Sequence, residues 1–86
     1  MIENLLKKME GAYADNTIRA YRIDFEVFSN WCASQALSPL PAAPDTVCDF
    51  IQFDMLKSSA ATIRRRMASI RKIHKLARES DPTRDE

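Results

Sequence analysis

From Ser59 to Arg78 the chain reads S-A-A-T-I-R-R-R-M-A-S-I-R-K-I-H-K-L-A-R, and Ile63, Met67, Ile70, His74 and Ala77 recur in it at steps of four, three, four and three. That spacing lays one stripe along a helix, with Ile73 at its edge. Ser59 is a good N-cap, and neither Gly nor Pro interrupts the run. Arg64, Arg65, Arg71, Lys72, Lys75 and Arg78 fall on the other side, with Arg66 near the stripe's margin. The pattern predicts a helix that docks on a core by one face and presents positive charge on the other.

The earlier stretches carry the same period. Ile2, Leu5, Leu6 and Met9 share one face of a short helix over residues 2–10, which Gly11 ends. A helix of that length is marginal alone and must lean on its own domain or on a neighbour. Over residues 15–35, Ile18, Tyr21, Phe25, Phe28 and Cys32 repeat at three and four, with Trp31 on the flank and Asp15 or Asn16 as the expected cap. These aromatics share the stripe, so they read as core packing rather than as a platform for stacked bases. Ile23 and Val27 point away from it, beside Arg19 and Asn30, as incidental exposed residues or as part of a contact surface.

Residues 36–44 contain three prolines and form a fixed connector. Asp45 to Leu56 follow as a third helix, with Pro44 in its first turn and Val47, Phe50 and Ile51 on its core face. Lys57 and Ser58 turn the chain into the basic helix. After Arg78 the sequence is polar and broken by Pro82, and reads as a linker or tail. The expected core is Ile18, Tyr21, Phe25, Phe28, Val47, Phe50, Ile63, Met67 and Ile70.

Eighty-six residues make one small domain, and a single glycine argues against hairpins and for helices. The fold class is therefore all-α: a small four-helix bundle with a short N-terminal helix and three main ones. No apolar run approaches a membrane span. Cys32 and Cys48 read as reduced, buried thiols of a cytoplasmic protein. His74 is the only histidine and neither cysteine is near it, so no metal or cofactor is expected. Net charge is only +1, yet residues 55–78 carry eight Lys or Arg and no acid, whereas residues 1–54 carry four basic and eight acidic side chains. Such segregation is what a local basic patch looks like in a nearly neutral chain. Alone, it fits a nucleic-acid surface or a solvated charged face.

Three stretches, N-T-I-R-A-Y-R-I-D-F-E-V-F-S-N-W-C (16–32), P-L-P-A-A-P-D-T-V (39–47) and S-A-A-T-I-R-R-R-M-A-S-I-R-K-I-H (59–74), together resemble the N-terminal core-binding, SAM-like domain of the tyrosine recombinase or phage integrase family. D-P-T (81–83) is similar to that family's exit toward its catalytic domain. The resemblance implies a helical module that closes over one side of a double-stranded DNA, a separate catalytic domain closing over the other. It implies that the second and fourth helices face the duplex, through Thr17 and Arg19 and through Ala61, Arg65, Ser69 and Lys72, with Arg64, Arg71 and Lys75 flanking. It also implies contacts with other protomers through residues 2–10. The division expected is a DNA-binding domain over 1–80 and a linker over 81–86 toward a catalytic domain this chain lacks.

The family's chemistry needs a tyrosine nucleophile assisted by arginines, a lysine and histidines, and no such set is legible here. H-K-L-A-R (74–78) has one residue too many for the family's H-x-x-R, and His74 lies on the core stripe as a packed, satisfied histidine. Tyr21 belongs to the core, and Tyr13 has no basic residue placed to activate it. The chain alone is expected not to be an enzyme, and to bind neither a membrane nor a small-molecule substrate. The alternative to DNA binding is a protein-interaction bundle, with the first helix, Ile23 and Val27 as its contact surface. A compact helix-turn-helix is disfavoured, because the proline-rich connector is longer than that motif's turn.

Overall fold

The computed structural model describes residues 2–84 and contains four helices, α1 Glu3–Lys7, α2 Asp15–Ser34, α3 Pro44–Asp54 and α4 Ala60–Leu76. Gly11, at φ +85°, turns the chain between α1 and α2, and Ala12 and Tyr13 donate their N–H groups to the Met9 carbonyl at 3.1 and 3.0 Å. Ala14, not Asp15 or Asn16, is the extended residue before α2, and no side chain caps that helix. Asp15 stands one place further in, where its carboxylate still favours the dipole's positive end. Pro44 opens α3, and Ser59 caps α4 by accepting the Thr62 N–H at 3.2 Å. α2 and α4 end alike. Ala36 (φ 57°) and Arg78 (φ 60°) take left-handed conformations, and the next N–H reaches back to Cys32 and His74 carbonyls at 2.9 Å.

α2 is the central element, packing on both α3 and α4. Phe25, Phe28 and Phe50 are fully buried, with Phe28 edge-on to both others at centroid distances of 5.8 and 5.1 Å. Leu6 and Met9 fill the core from the N-terminal segment, so α1 leans on its own domain. The connector is tied to α4 by His74, whose Nε2 accepts the Ala42 N–H at 2.9 Å while Nδ1 lies 2.8 Å from the Ile70 carbonyl. Those partners require the proton on Nδ1, and His74 is wholly buried.

α4 sits on the core by a face rotated from the expected stripe. Ser69, Ile70, Ile73 and His74 are buried, whereas Ile63 and Met67 are only half-buried. The reason is electrostatic. Asp24 of α2 and Asp54 of α3 are fully buried, and α4 turns Arg65, Arg66 and Ser69 toward them. Unpaired, those carboxylates would cost several kcal/mol, more than half-exposing Ile63 and Met67 loses.

Other expectations change as well. Cys48 is exposed, and only Cys32 is buried. Val27 packs partly against the core, while Ile23 is 51% exposed. The segment after Arg78 does not run free: Pro82 is buried beside Met67, Val47 and Ile51, and Asp81 lies 3.3 Å from Arg71. Residues 85 and 86 of the expected 81–86 linker lie outside the described residues.

Candidate nucleic-acid interface

The cations of α4 divide by what holds them. Arg66 is interior. Its Nη1 donates to both Asp54 oxygens at 2.7 and 2.8 Å and to the Ser58 hydroxyl at 3.0 Å. Arg65 is half-exposed but grips Asp24 with Nε at 3.1 Å and Nη2 at 2.8 Å, which raises its own pKa further. Arg71 is also half-exposed, its Nε donating to Thr83 Oγ1 at 3.1 Å and facing Asp81. Burial alone would push the Asp81 carboxyl up. Hydrogen bonds from the Thr83 hydroxyl and N–H, with the charges of Arg71 and Arg84, outweigh it and hold that carboxyl below its usual value. Among the described residues, Arg64, Lys75 and Arg78 are exposed and pair with no carboxylate.

Two adjacent rows result on the outward side of α4. Arg64, Ala68, Arg71 and Lys75 stand at steps of four, three and four and are all exposed. Beside them run Ala61, Arg65, Ala68 and Lys72 at four, three and four. From Arg64 to Lys75 the rise is roughly 16 Å, so the cations line a strip several phosphates long. Ala68 leaves it low in the middle, and Ala61 leaves it low at the N-terminal end.

Not every expected contact lies there. Ser69 is buried, its hydroxyl donating to Asp24 at 2.7 Å, and is withdrawn from the surface set. Thr17, seven residues before Asp24, shares the side of α2 that meets α4 and is half-buried. Arg19 is exposed on the far side of α2, in a shallow groove with Glu10, Asp15 and Arg22. Two residues along a helix turn the side chain by about 200°, so Thr17 and Arg19 cannot face one surface together. Lys72 is half-buried because its ammonium donates to the Tyr13 hydroxyl and sits 4.7 Å above that ring. The expectation that no basic residue is placed to activate Tyr13 did not foresee this contact, which packing forms between residues 59 apart in sequence. Within residues 2–10, Ile2, Leu6 and Met9 are buried in the domain's own core, leaving Glu3, Asn4, Lys7 and Lys8 outward.

Asp24 and Asp54 were the residues the periodicity argument missed. Asp24 stands three residues after Tyr21 and four before Phe28, and Asp54 four after Phe50. An acid in a core register, in a chain with an acid-free basic helix, is the signal that would have found them. Among the described residues no group of three His, Cys, Asp or Glu side chains is placed to hold a metal ion, and no helix is long and apolar enough to cross a membrane.

The sequence profile described as "Phage integrase, N-terminal SAM-like domain" matches residues 4–80. A protein of Selenomonas ruminantium described as "Integrase/recombinase xerD homolog" is 35% identical over 68 residues, which cover 79% of this chain and 20% of that protein. The chain thus spans about a fifth of the relative's length. No solved structure matches.

Proposed function

Because the chain belongs to the phage integrase family of N-terminal SAM-like domains, we propose that it is the double-stranded-DNA-binding module of a site-specific recombinase, laying the outward face of α4 on the duplex. The observation that carries the reading is the fate of the eight cations between residues 55 and 78. Among the described residues, only Arg65, Arg66 and Arg71 meet a carboxylate; Lys57 lies over the Phe53 ring beside the α3–α4 turn, and Arg64, Lys72, Lys75 and Arg78 remain as net positive charge around the two rows. A solvated face needs no such separation, whereas phosphates attract it. Ala61 and Thr17 flank the strip, and Arg19 reaches DNA only if the duplex also passes α2's far side. In this reading strand cleavage belongs to other parts of such a recombinase, and Tyr13 is a partner of Lys72 beside the strip.

One face of a clamp binds weakly, roughly in the micromolar range or above, as non-specific complexes do. Fluorescence anisotropy with a short labelled duplex at several salt concentrations tests the reading. Log affinity should fall linearly with log salt; Arg64→Ala and Lys75→Ala should each flatten the slope by about one, and Arg71→Ala, whose arginine already faces Asp81, by less. Salt-independent binding, or wild-type slopes in all three variants, would return the strip to a solvated surface.

A second reading has its own observation. Phe53, in the last turn of α3, and Met55 and Leu56, on the turn between α3 and α4, are 38%, 64% and 86% exposed. This cluster favours a protein contact, such as one with another recombinase protomer, at that turn rather than through the apolar side of residues 2–10.

A further inference from the structure

We infer that Arg65 is a base-reading residue, presented by Asp24 and Ser69 to a guanine edge in the major groove. The inference rests on the DNA-binding reading above and adds sequence specificity to it.

One edge of the guanidinium is already spent. Nε and Nη2 both donate to Asp24, at 3.1 and 2.8 Å, which occupies the side edge of the fork. The end edge, made of Nη1 and the second hydrogen of Nη2, has no partner among the described residues, and the side chain is 55% exposed. Two parallel N–H donors remain, directed outward. That pair matches a two-acceptor group, and guanine offers N7 and O6 side by side in the major groove.

The holder is rigid. The Asp24 side chain is 1% exposed and accepts Ser69 Oγ at 2.7 Å, with Arg66 Nε 4.0 Å away. Arg65 therefore does not sweep the solvent as a free arginine does, and the entropy of orienting it is already lost before DNA arrives. A phosphate contact needs no such device, since Arg64 and Lys75 serve that purpose without a carboxylate behind them. A carboxylate beside a phosphate-binding arginine would also weaken it.

The surroundings point the same way. Ala61 and Ala68 lie one turn to either side of Arg65 on the same row, and both are exposed. Their short side chains let the groove floor approach the helix, while Arg64 and Lys75 stand to one side, where a backbone would run. Ser69, which the resemblance placed on the duplex, acts from behind, as a positioning residue.

The test is selection from a random-sequence duplex library at low salt, followed by sequencing. It is run with the wild-type chain, Arg65→Lys and Ser69→Ala, each checked for helicity. The wild type is expected to enrich guanine at one position by roughly 5- to 150-fold, the discrimination a bidentate arginine gives. Arg65→Lys keeps the charge but loses the fork, and should abolish that preference while low-salt affinity stays within a few-fold. Ser69→Ala should weaken the preference at the same position without changing the salt slope, an effect that lost stability alone would not localise. An unchanged base profile in Arg65→Lys, or an equal loss of affinity across all sequences, overturns the inference in favour of a phosphate contact. Binding without any base preference in the wild type also overturns it and leaves the DNA-binding reading intact. No binding at all removes both.

Discussion

Arg66 reaches Asp54 through Nη1 at 2.7 and 2.8 Å, in a pair of which 16% of the arginine side chain and 1% of the aspartate side chain is exposed. The Ser58 hydroxyl donates to the same carboxylate at 2.7 Å, so the α3–α4 turn is closed over the pair. On its other side the Arg66 Nε lies 4.0 Å from Asp24 and has no hydrogen-bond partner. One guanidinium therefore stands between carboxylates from α2 and α3. Such a pair adds little net stability over apolar packing, but removing one member strands the other. Arg66→Ala should cost on the order of 3–5 kcal/mol in chemical denaturation and leave the DNA salt slope unchanged. Replacing both Arg66 and Asp54 by leucine should cost less than the two single changes added together. A wild-type denaturation midpoint in Arg66→Ala would show that the pair is not needed.

The rotated seat of α4 can be tested with two single truncations. Ile73 is fully buried and Met67 half-buried beside Pro82. Ile73→Ala should cost about 2–5 kcal/mol, and Met67→Ala clearly less. Phe25→Ala, which removes one of the fully buried rings of the aromatic cluster, should cost about 3–5 kcal/mol. Thermal melts followed by circular dichroism rank the three, and Met67→Ala as the worst of them would restore the simpler stripe.

Ala36 offers a stabilising change. Its φ of 57° lies where a Cβ is crowded, at the position after α2 that glycine usually fills. Relieving that crowding is worth roughly 1–2 kcal/mol, from which the greater freedom of glycine in the unfolded chain subtracts about 0.5–1 kcal/mol. Ala36→Gly should therefore raise the melting temperature slightly. A fall would mean that the unfolded-chain entropy dominates at this site.

The two thiols should behave differently. Burial pushes the Cys32 thiol from its ordinary 9.0 up to about 11, while Cys48 is exposed. A thiol reagent at neutral pH should label one cysteine quickly, identified as Cys48 by peptide mapping, and Cys32 only on unfolding. The raised folded pKa also has a sign: its contribution to stability is complete below 9.0 and is lost as pH rises toward 11. Denaturation midpoints of wild type and Cys32→Ala across that interval should converge. Equal labelling rates for both thiols in the folded chain would contradict the burial of Cys32.

The sequence by itself determined which segments are helical and roughly where the three main ones stop, whereas α1 ends at Lys7 instead of running to Gly11. Helix periodicity, the prolines at 39, 41 and 44, Ser59 before α4 and the single glycine are all local signals, and local sterics and hydrogen bonding are enough to act on them. It also determined that positive charge gathers on the last helix and that His74 is packed. Tertiary structure alone decided how α4 is turned. Asp24 and Asp54 count as polar in any periodicity argument, and only the approach of α2, α3 and α4 makes them interior and obliges Arg66 and Ser69 to follow. The same approach divides one run of cations into arginines answered by carboxylates and, among the described residues, the unanswered Arg64, Lys72, Lys75 and Arg78. Linear spacing cannot separate the two, because an ion pair depends on distance in space, and Arg65 meets Asp24 across 41 positions of chain.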